Sequence, residues 1–364
     1  MATFIPFQEG DRVDSVDRVF ASAWNDAAGA ANDLGANHLT ASTYAAATER
    51  GGGSGSANFF QELFSQGSAG AGTGDVQYSI AYGHVAGSGS RDFSTGTGAE
   101  GFSAAKAVYN QTRNLVYGGD ETQNFSFPAV GTGTSAHTPS HIYVININRS
   151  RYKNAIRMGN LALVLGATGG TPAKIHLTDN SVTTSGSANA IRPGVGREFL
   201  LVTGSNGIQG PGVSDLTSSY GFVYPDAGLI VLNGDVLDGA AAKGGVELAS
   251  DFTSNAQKAG GNPELLRKKL VAGGSFIVDS QEDIASKFYF VRVKNQEFNY
   301  TTNDSFTEND GTLKYDSMID NPQTYITTVG LYNDAQDLLA VAKLSTPLPK
   351  DFTKEALIKV KLDY

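Results

Sequence analysis

Residues 324–344 read TYITTVGLYNDAQDLLAVAKL, and this stretch decides the class of fold. Apolar residues fill both arms of the stretch. Asn333, Asp334 and Asp337 lie between the arms, where Asn and Asp side chains favour a turn by bonding to the nearby backbone. The sequence therefore predicts a β-hairpin.

A third strand is predicted in residues 352–364, which read FTKEALIKVKLDY. Ile358, Val360 and Leu362 fall on one face of this strand, and lysines fall on the other, because side chains alternate between the faces of a strand. The hairpin and this strand supply eight candidate packing or interface positions: Tyr325, Val329, Leu331, Leu339, Val341, Ile358, Val360 and Leu362.

Short apolar segments between Gly, Asn and Asp turns recur through the middle of the chain, as at residues 142–147, 198–203 and 229–232. This spacing is typical of antiparallel sandwich- or barrel-like domains rather than of alternating strands and helices. The sequence therefore predicts a mainly β protein with a few short helices and long Gly-rich loops, such as residues 51–56 and 67–74.

Changes in composition suggest three segments. Residues 1–55 are expected to form an N-terminal extension or arm, residues 56–250 a β-rich domain, and residues 251–364 a C-terminal β domain with the hairpin and final strand. Apolar spacing predicts a helix over residues 16–31 and another over residues 104–117.

Composition excludes several classes of function. The 364 residues carry a net charge of −9, which argues against a nucleic-acid-binding protein, and no apolar run is long enough to span a membrane. The absence of cysteine excludes disulfides and thiolate chemistry. Only 17% of the residues are charged, less than an isolated soluble protein normally carries, so a homo-oligomer is expected.

Motifs for catalysis or cofactor binding lack their required context. Residues 96–101 match G-x-G-x-x-G, but they follow a long Gly/Ser loop instead of a strand. His137 and His141 have the spacing of two metal ligands on a helix, but Pro139 disfavours a helix there. A bond from His84 to loop backbone is expected rather than a catalytic role. We therefore expect no enzyme activity, no cofactor and no metal.

The hairpin and final strand resemble virion structural proteins of tailed bacteriophages, in particular contractile-tailed phages related to those of cyanobacteria. The hairpin is also similar to an N-terminal module of some phage tail-fibre proteins. Three further stretches resemble the same virion family: YSIAYGHVAGSGS at residues 78–90, IYVININRSRYKNAI at 142–156 and FYFVRVKNQEFNYTTNDSF at 288–306. The resemblance covers most of the chain, more weakly before residue 55 and between residues 205 and 285. It carries over no catalytic residues.

The resemblance implies a structural component of a tailed-phage virion, in the tail, baseplate or fibre-attachment region. Such a protein would assemble in the host bacterial cytoplasm, associate with itself and dock onto other virion proteins. Two alternatives stay open. One is a receptor-binding protein that recognises a host-surface glycan through an exposed aromatic and carboxylate groove. The other is a capsid or neck protein.

We expect a chain that ends at residue 350 to lose its fold or its assembly. The final strand contributes three apolar side chains, and each stabilises by about 1.5–3 kcal/mol when fully buried. The melting temperature of the shortened chain measures the effect, and a value equal to that of the full chain would show the strand to be peripheral.

Overall fold

A computed structural model describes residues 4–24, 60–64, 76–88, 104–120, 122–129, 136–166, 174–210, 219–240, 243–248, 250, 261–271, 274–299 and 304–363. It is mainly β, with 47% strand and 15% helix, and its antiparallel sheets are curled. This confirms the predicted fold class. The predicted Gly-rich loops at residues 51–56 and 67–74 lie outside the described residues.

Strands are the commonest element of the described structure. They are β1 (Arg12–Ser22), β2 (Phe60–Phe64), β3 (Val76–His84), β4 (His141–Ile147), β5 (Ala155–Ile156), β6 (Ala162–Gly166), β7 (Lys174–Asp179), β8 (Ala190–Arg192), β9 (Gly196–Ser205), β10 (Ile208–Gln209), β11 (Gly221–Tyr224), β12 (Leu229–Asn233), β13 (Ser275–Ile277), β14 (Asp279–Val293), β15 (Thr324–Tyr332), β16 (Leu338–Lys350) and β17 (Ala356–Asp363). The helices of the described chain are α1 (Ala104–Tyr117), α2 (Arg149–Tyr152), α3 (Gly234–Asp238), α4 (Asn262–Val271) and α5 (Ser317–Asp320).

The chain divides into two compact units. We name Val19–Glu282 the central unit, and Met1–Arg18 together with Asp283–Tyr364 the terminal unit. This division differs from the three segments predicted from composition. Residues 251–282 group with the central unit, and both ends of the chain contribute to the terminal unit.

One large sheet organises the central unit. Its strands follow the order β13-β6-β7-β9-β11-β12-β4-β3-β2, and β8 and β10 pair with β9. Neighbouring strands run antiparallel. The order departs from chain order, so segments distant in sequence become neighbours; β12, for example, pairs with β4.

Strand β4 lies between two hydrophobic cores. Tyr143, Ile145 and Ile147 belong to the larger core on one face, while Ile142 and Val144 belong to a second core on the other face, which includes side chains of α1. A run of apolar β-branched and aromatic residues suits a strand that is covered on both faces. This explains why the strand was predictable from residues 142–147. Helix α1 confirms the helix predicted over residues 104–117.

The terminal unit contains a hairpin and the strands that surround β14. Strand β17 pairs antiparallel with β14, so that Val360 lies opposite Tyr289. Strand β1 lies on the other side of β14 in the same sheet. Strands β15 and β16 form a separate two-stranded sheet. The hairpin and the final strand predicted from sequence are therefore both present.

The helix predicted over residues 16–31 is wrong for the residues that the structure describes. Arg12–Ser22 form strand β1, and residues 25–31 lie outside the described part of the chain. The spacing of Val16, Val19 and Phe20 fits a helix, but pairing with β14 satisfies the backbone of this segment in an extended form. Residues 280–286, by contrast with α1, lie within the extended strand β14.

Residues 4–24 are integrated into the fold, although the sequence suggested an extension or arm over residues 1–55. Trp24 is 6% exposed and lies in the core of the central unit, where its ring packs against Tyr78 and Phe276. Its Nε1 donates a 2.9 Å hydrogen bond to the carbonyl oxygen of Phe276. In the terminal unit, Arg292 donates a 2.7 Å hydrogen bond to Asp11.

We expect Trp24→Ala to lower the free energy of unfolding by about 3–5 kcal/mol, the usual cost of removing a buried Trp side chain. Trp24→Phe keeps most of the packing and loses the hydrogen bond, so it should cost less. Urea unfolding of both variants measures this difference. Equal stability of Trp24→Ala and the unmodified chain would contradict the placement of Trp24 in the core.

Candidate functional site

The structure buries part of the set of eight candidate positions inside the terminal unit. Val329, Leu331 and Val360 are 9%, 7% and 6% exposed and form one cluster, against which Ile358 and Leu362 pack half-buried. The inner face of the hairpin therefore packs against strands of its own unit. This is the packing that the alternating pattern of the final strand predicted.

The other three candidate positions face outward. Tyr325, Leu339 and Val341 have 61%, 68% and 57% of their surfaces exposed. Tyr332 and Leu338 are exposed as well, at 44% and 52%. We name Tyr332, Leu338, Leu339 and Val341 the outer patch, because these four residues lie at the end of the hairpin that carries the turn.

A glycine shapes the outer patch. Gly330 pairs with Val341 across the hairpin. A side-chain carbon on Gly330 would lie 2.8 Å from Cε2 of Tyr332 and 3.3 Å from Cδ1 of Leu338. The absence of a side chain at Gly330 therefore lets the Tyr332 and Leu338 side chains lie over the strand and join into one apolar surface.

The turn of the hairpin is fixed by the residues that predicted it. Oδ1 of Asn333 accepts a 2.7 Å hydrogen bond from the backbone N–H of Asp337, and Nδ2 of Asn333 donates to Oδ2 of Asp337 at 3.0 Å. Gln336 takes a left-handed backbone conformation with φ of 65°. These bonds hold the two arms together at the end that carries the outer patch, where Leu339 lies in a register shift between the pairs Leu331–Ala340 and Tyr332–Leu338.

A buried lysine anchors the opposite end of β16. Lys350 is fully buried, and its Nζ donates to the carbonyl oxygens of Asn295 and Asp351, both at 2.9 Å, and to Oδ1 of Asn299 at 2.7 Å. An ammonium group has three donors, and here all three have an oxygen acceptor. Burial of this charge is therefore compensated by hydrogen bonds.

Basic residues of the central unit that could have marked a nucleic-acid surface are paired with carboxylates. Lys153 lies 2.7 Å from Glu282, and Arg157 lies 3.3 Å from Asp279. Arg267 forms an ion pair with Glu264. Basic groups engaged in this way are less free to contact phosphates.

A second constellation, in the central unit, holds the histidines that the sequence singled out. Nδ1 of His141 lies 3.0 Å from Oδ1 of Asp235, and Nε2 of His141 lies 3.2 Å from Oδ2 of Asp238. His141 begins β4 and is 2% exposed, and both aspartates belong to α3. The ring therefore lies at ion-pair distance from two carboxylates, which favour its protonated form.

The same constellation extends on both sides of His141. Nε2 of His137 lies 3.0 Å from Oδ2 of Asp235. On the other side, Ser250 donates a 2.7 Å hydrogen bond to Oδ1 of Asp238, and the Ser250 hydroxyl lies 2.6 Å from the hydroxyl of Tyr143. We name His137, His141, Asp235, Asp238 and Ser250 the histidine–aspartate network.

Gly234 makes room for the network. A side-chain carbon on this residue would overlap Cδ2 and Nε2 of the His141 ring. Gly234 is the first residue of α3, and the side chain of Asn233 caps the helix by accepting from the N–H of Val236. The helix can therefore approach the start of β4 closely enough for two aspartates to reach one imidazole.

The electrostatics of the network favour a charged His141. Burial lowers the pKa of His141, but the hydrogen bonds and charges of Asp235 and Asp238 outweigh burial and raise this pKa above its ordinary value of 6.5. Burial raises the pKa of Asp235, and the bonds to His141 and His137 more than offset this, lowering it to about 2. The two shifts together favour a charged imidazole beside an ionised Asp235.

His84 plays a different part. It lies opposite His141 at the end of the β3–β4 pairing. Burial, together with the nearby charge of His141, lowers the pKa of His84 to about 4, so it is neutral near pH 7. Its Nδ1 accepts hydrogen bonds from the backbone N–H groups of Ala86 and Gly87 at 3.0 and 3.1 Å. This is the bond to loop backbone that the sequence predicted.

The arrangement supports a structural role for these histidines. His137 and His141 share Asp235 instead of facing outward together from a helix, and the segment between them is not helical. Within the part of the chain that the structure describes, no group of three His, Cys, Asp or Glu side chains could hold a metal ion.

Asp235 and Asp238 escaped sequence reasoning because they lie almost a hundred residues from the histidines that they bind. Residues 96–101, with the G-x-G-x-x-G match, lie outside the described residues.

Comparisons with known proteins yield no relative. No protein-family model, no curated protein and no solved structure matches this chain. None of the helices in the described ranges combines the length and the apolar character that crossing a membrane requires.

We expect stability to decrease with rising pH because of His141. Its pKa is higher in the folded protein than in the unfolded chain, so its stabilisation is complete below pH 6.5 and is lost as pH rises through the folded-state pKa. The melting temperature should therefore fall between about pH 6 and about pH 9 by more in the unmodified chain than in His141→Gln. His176→Gln, at an exposed position of β7, is the matched control. Identical pH profiles for the chain and His141→Gln would contradict the ion-paired His141.

Proposed function

We propose that this chain is a structural component of a tailed-phage virion, placed in the tail, baseplate or fibre-attachment region. It acts by associating with itself and docking onto other virion proteins, and it catalyses no reaction. Assembly takes place in the host bacterial cytoplasm. The resemblance of the hairpin and final strand to virion proteins first suggested this role.

The observation that carries the proposal is the outer patch. Four large apolar side chains lie exposed side by side on a two-stranded sheet whose turn and far end are both fixed by hydrogen bonds. Exposed apolar surface of this kind marks interaction sites, and sheet edges are surfaces on which other chains add. A partner that covers the patch would remove this surface from water.

The histidine–aspartate network supports the part of the proposal that assigns no catalytic activity to this chain. The ring of His141 lies within ion-pair distance of two carboxylates, and Nδ1 of His84 is occupied by backbone donors. A general base needs a free nitrogen near neutral pH within reach of a substrate. These two buried histidines instead connect α3 and a loop to the end of the sheet.

The proposed placement within the particle rests on the hairpin alone. Its similarity to a tail-fibre module favours the tail, baseplate or fibre-attachment region over the capsid or neck. A capsid or neck position would be the same kind of function at another site.

The experiment is to purify particles of a phage that encodes this chain, to quantify its copies by mass spectrometry, and to locate it with a gold-labelled antibody. We expect a fixed copy number and label on the tail. Absence of the chain from purified particles would overturn the proposal. Binding to a host-glycan array together with that absence would favour the receptor-binding alternative.

We expect the double variant Leu339→Ser/Val341→Thr to enter particles at least about tenfold less well, because each apolar side chain that a partner buries contributes about 1.5–3 kcal/mol. Leu357→Ser is the matched control, since Leu357 is 60% exposed on β17 and lies outside the outer patch. Equal incorporation of the double variant and the control would show that the outer patch is not the assembly surface.

A further inference from the structure

We propose that the free edge of β16 pairs antiparallel with the same edge of a second copy of this chain, about an axis that passes beside Ala340. The proposal rests on the proposed function, because it names the partner in the self-association. It concerns residues 337–343 of the terminal unit alone.

Strand β16 offers an edge for such pairing. Among the described residues, β15 and β16 form a sheet of two strands, so one side of β16 faces β15 and the other faces no strand. The backbone groups on that side form a row of donors and acceptors that a further strand can pair.

Two prolines limit the open edge to the half of β16 near the turn. Pro347 and Pro349 lie within the strand, and proline has no backbone N–H to contribute to a ladder. Proline on an edge strand is a common protection against unwanted pairing. The half from Leu338 to Lys343 has no proline, and it also carries the exposed Leu339 and Val341. Its one register shift against β15 falls at Leu339, and the pairs from Ala340 to Lys343 are regular.

The charges of this half of β16 are arranged so that two antiparallel copies of it attract each other. Asp337 precedes the strand and Lys343 lies at the far end of the open half, each exposed and each three residues from Ala340. When two copies pair antiparallel about Ala340, Asp337 of each copy lies beside Lys343 of the other. Leu339 then lies opposite Val341 of the second copy on the outer face, and this contact occurs twice.

The edge of β15 lacks this complementarity. Strand β15 reads TYITTVGLY and contains no charged residue. The ring of Phe4 also packs edge-on against Tyr332 at 5.0 Å, which places the N-terminal segment of the terminal unit beside the end of β15. The distribution of charge therefore favours pairing of the β16 edge with a second copy over pairing of the β15 edge.

Cysteine cross-linking tests the register, since the chain has no cysteine of its own. In Ala340→Cys, the two introduced residues lie directly opposite each other across the axis, close to the Cβ separation of a disulfide. In Ala342→Cys, the matched control, the two introduced cysteines are offset along the strands by four residues, or about 13 Å. We expect Ala340→Cys to form disulfide-linked dimers under mild oxidation and Ala342→Cys to form at least about tenfold fewer.

A charge exchange tests the partner. Lys343→Asp alone should weaken dimerisation by about tenfold, measured by sedimentation, because it replaces two ion pairs with two repulsive contacts. The double variant Asp337→Lys/Lys343→Asp should recover most of that loss, since the exchanged charges attract again and the turn keeps the bond from the backbone N–H of residue 337 to Oδ1 of Asn333, which does not need the Asp337 side chain. Lys294→Asp, an exposed change of the same charge outside the hairpin, should have no comparable effect. Thermal unfolding verifies that each variant is folded.

The outcomes separate this inference from the proposed function. A chain that is monomeric at all concentrations, or cross-linking that is equal at positions 340 and 342, overturns the β16 pairing. Loss of self-association in Lys343→Asp without recovery in the double variant also overturns it, because Asp337 and Lys343 would then not be paired between copies. In each of these cases, the presence of the chain in purified particles would leave the proposed function standing. Absence from particles would remove the proposed function even if the dimer formed.

Discussion

The pairing of β14 with β1 on one side and β17 on the other joins both ends of the chain into one sheet. The hydrophobic cluster under the hairpin depends on this sheet, because Val360 of β17 and the half-buried Tyr289 of β14 form the surface on which Val329 and Leu331 rest. The orientation of the hairpin depends in turn on that cluster. Because the inner face of the hairpin packs against the cluster, its other face is left to water or to a partner.

The hairpin and the final strand could be predicted because their determinants are local. Alternating apolar residues and a turn held by Asn333 and Asp337 lie within forty residues of sequence. Strand β1 could not be predicted in the same way. Its partner β14 begins 257 residues after β1 ends (279 minus 22), and the spacing of its own apolar residues also fits a helix. Long-range pairing decided between the two forms.

The histidine–aspartate network shows the same limit at the level of side chains. The sequence identified His137 and His141 by their mutual spacing, but their chemistry is set by Asp235 and Asp238 on a five-residue helix that the sequence did not indicate. Gly234, which allows the close approach of that helix, cannot be distinguished from the other 43 glycines by sequence alone. Tertiary contact, not spacing, gives the two histidines a common partner.

The division of the terminal unit between residues 1–18 and 283–364 has a consequence for the timing of synthesis. The central unit can fold as soon as residue 282 has left the ribosome, whereas β1 must wait for β14, and the cluster under the hairpin must wait for β17. At rates of about 5–20 residues per second, the 81 residues from 283 to 363, where β17 ends, take about 4–16 s to synthesise. Val329 and Leu331 lack the Val360 side chain that completes their cluster until the end of this interval, so the hairpin takes its final orientation late in synthesis.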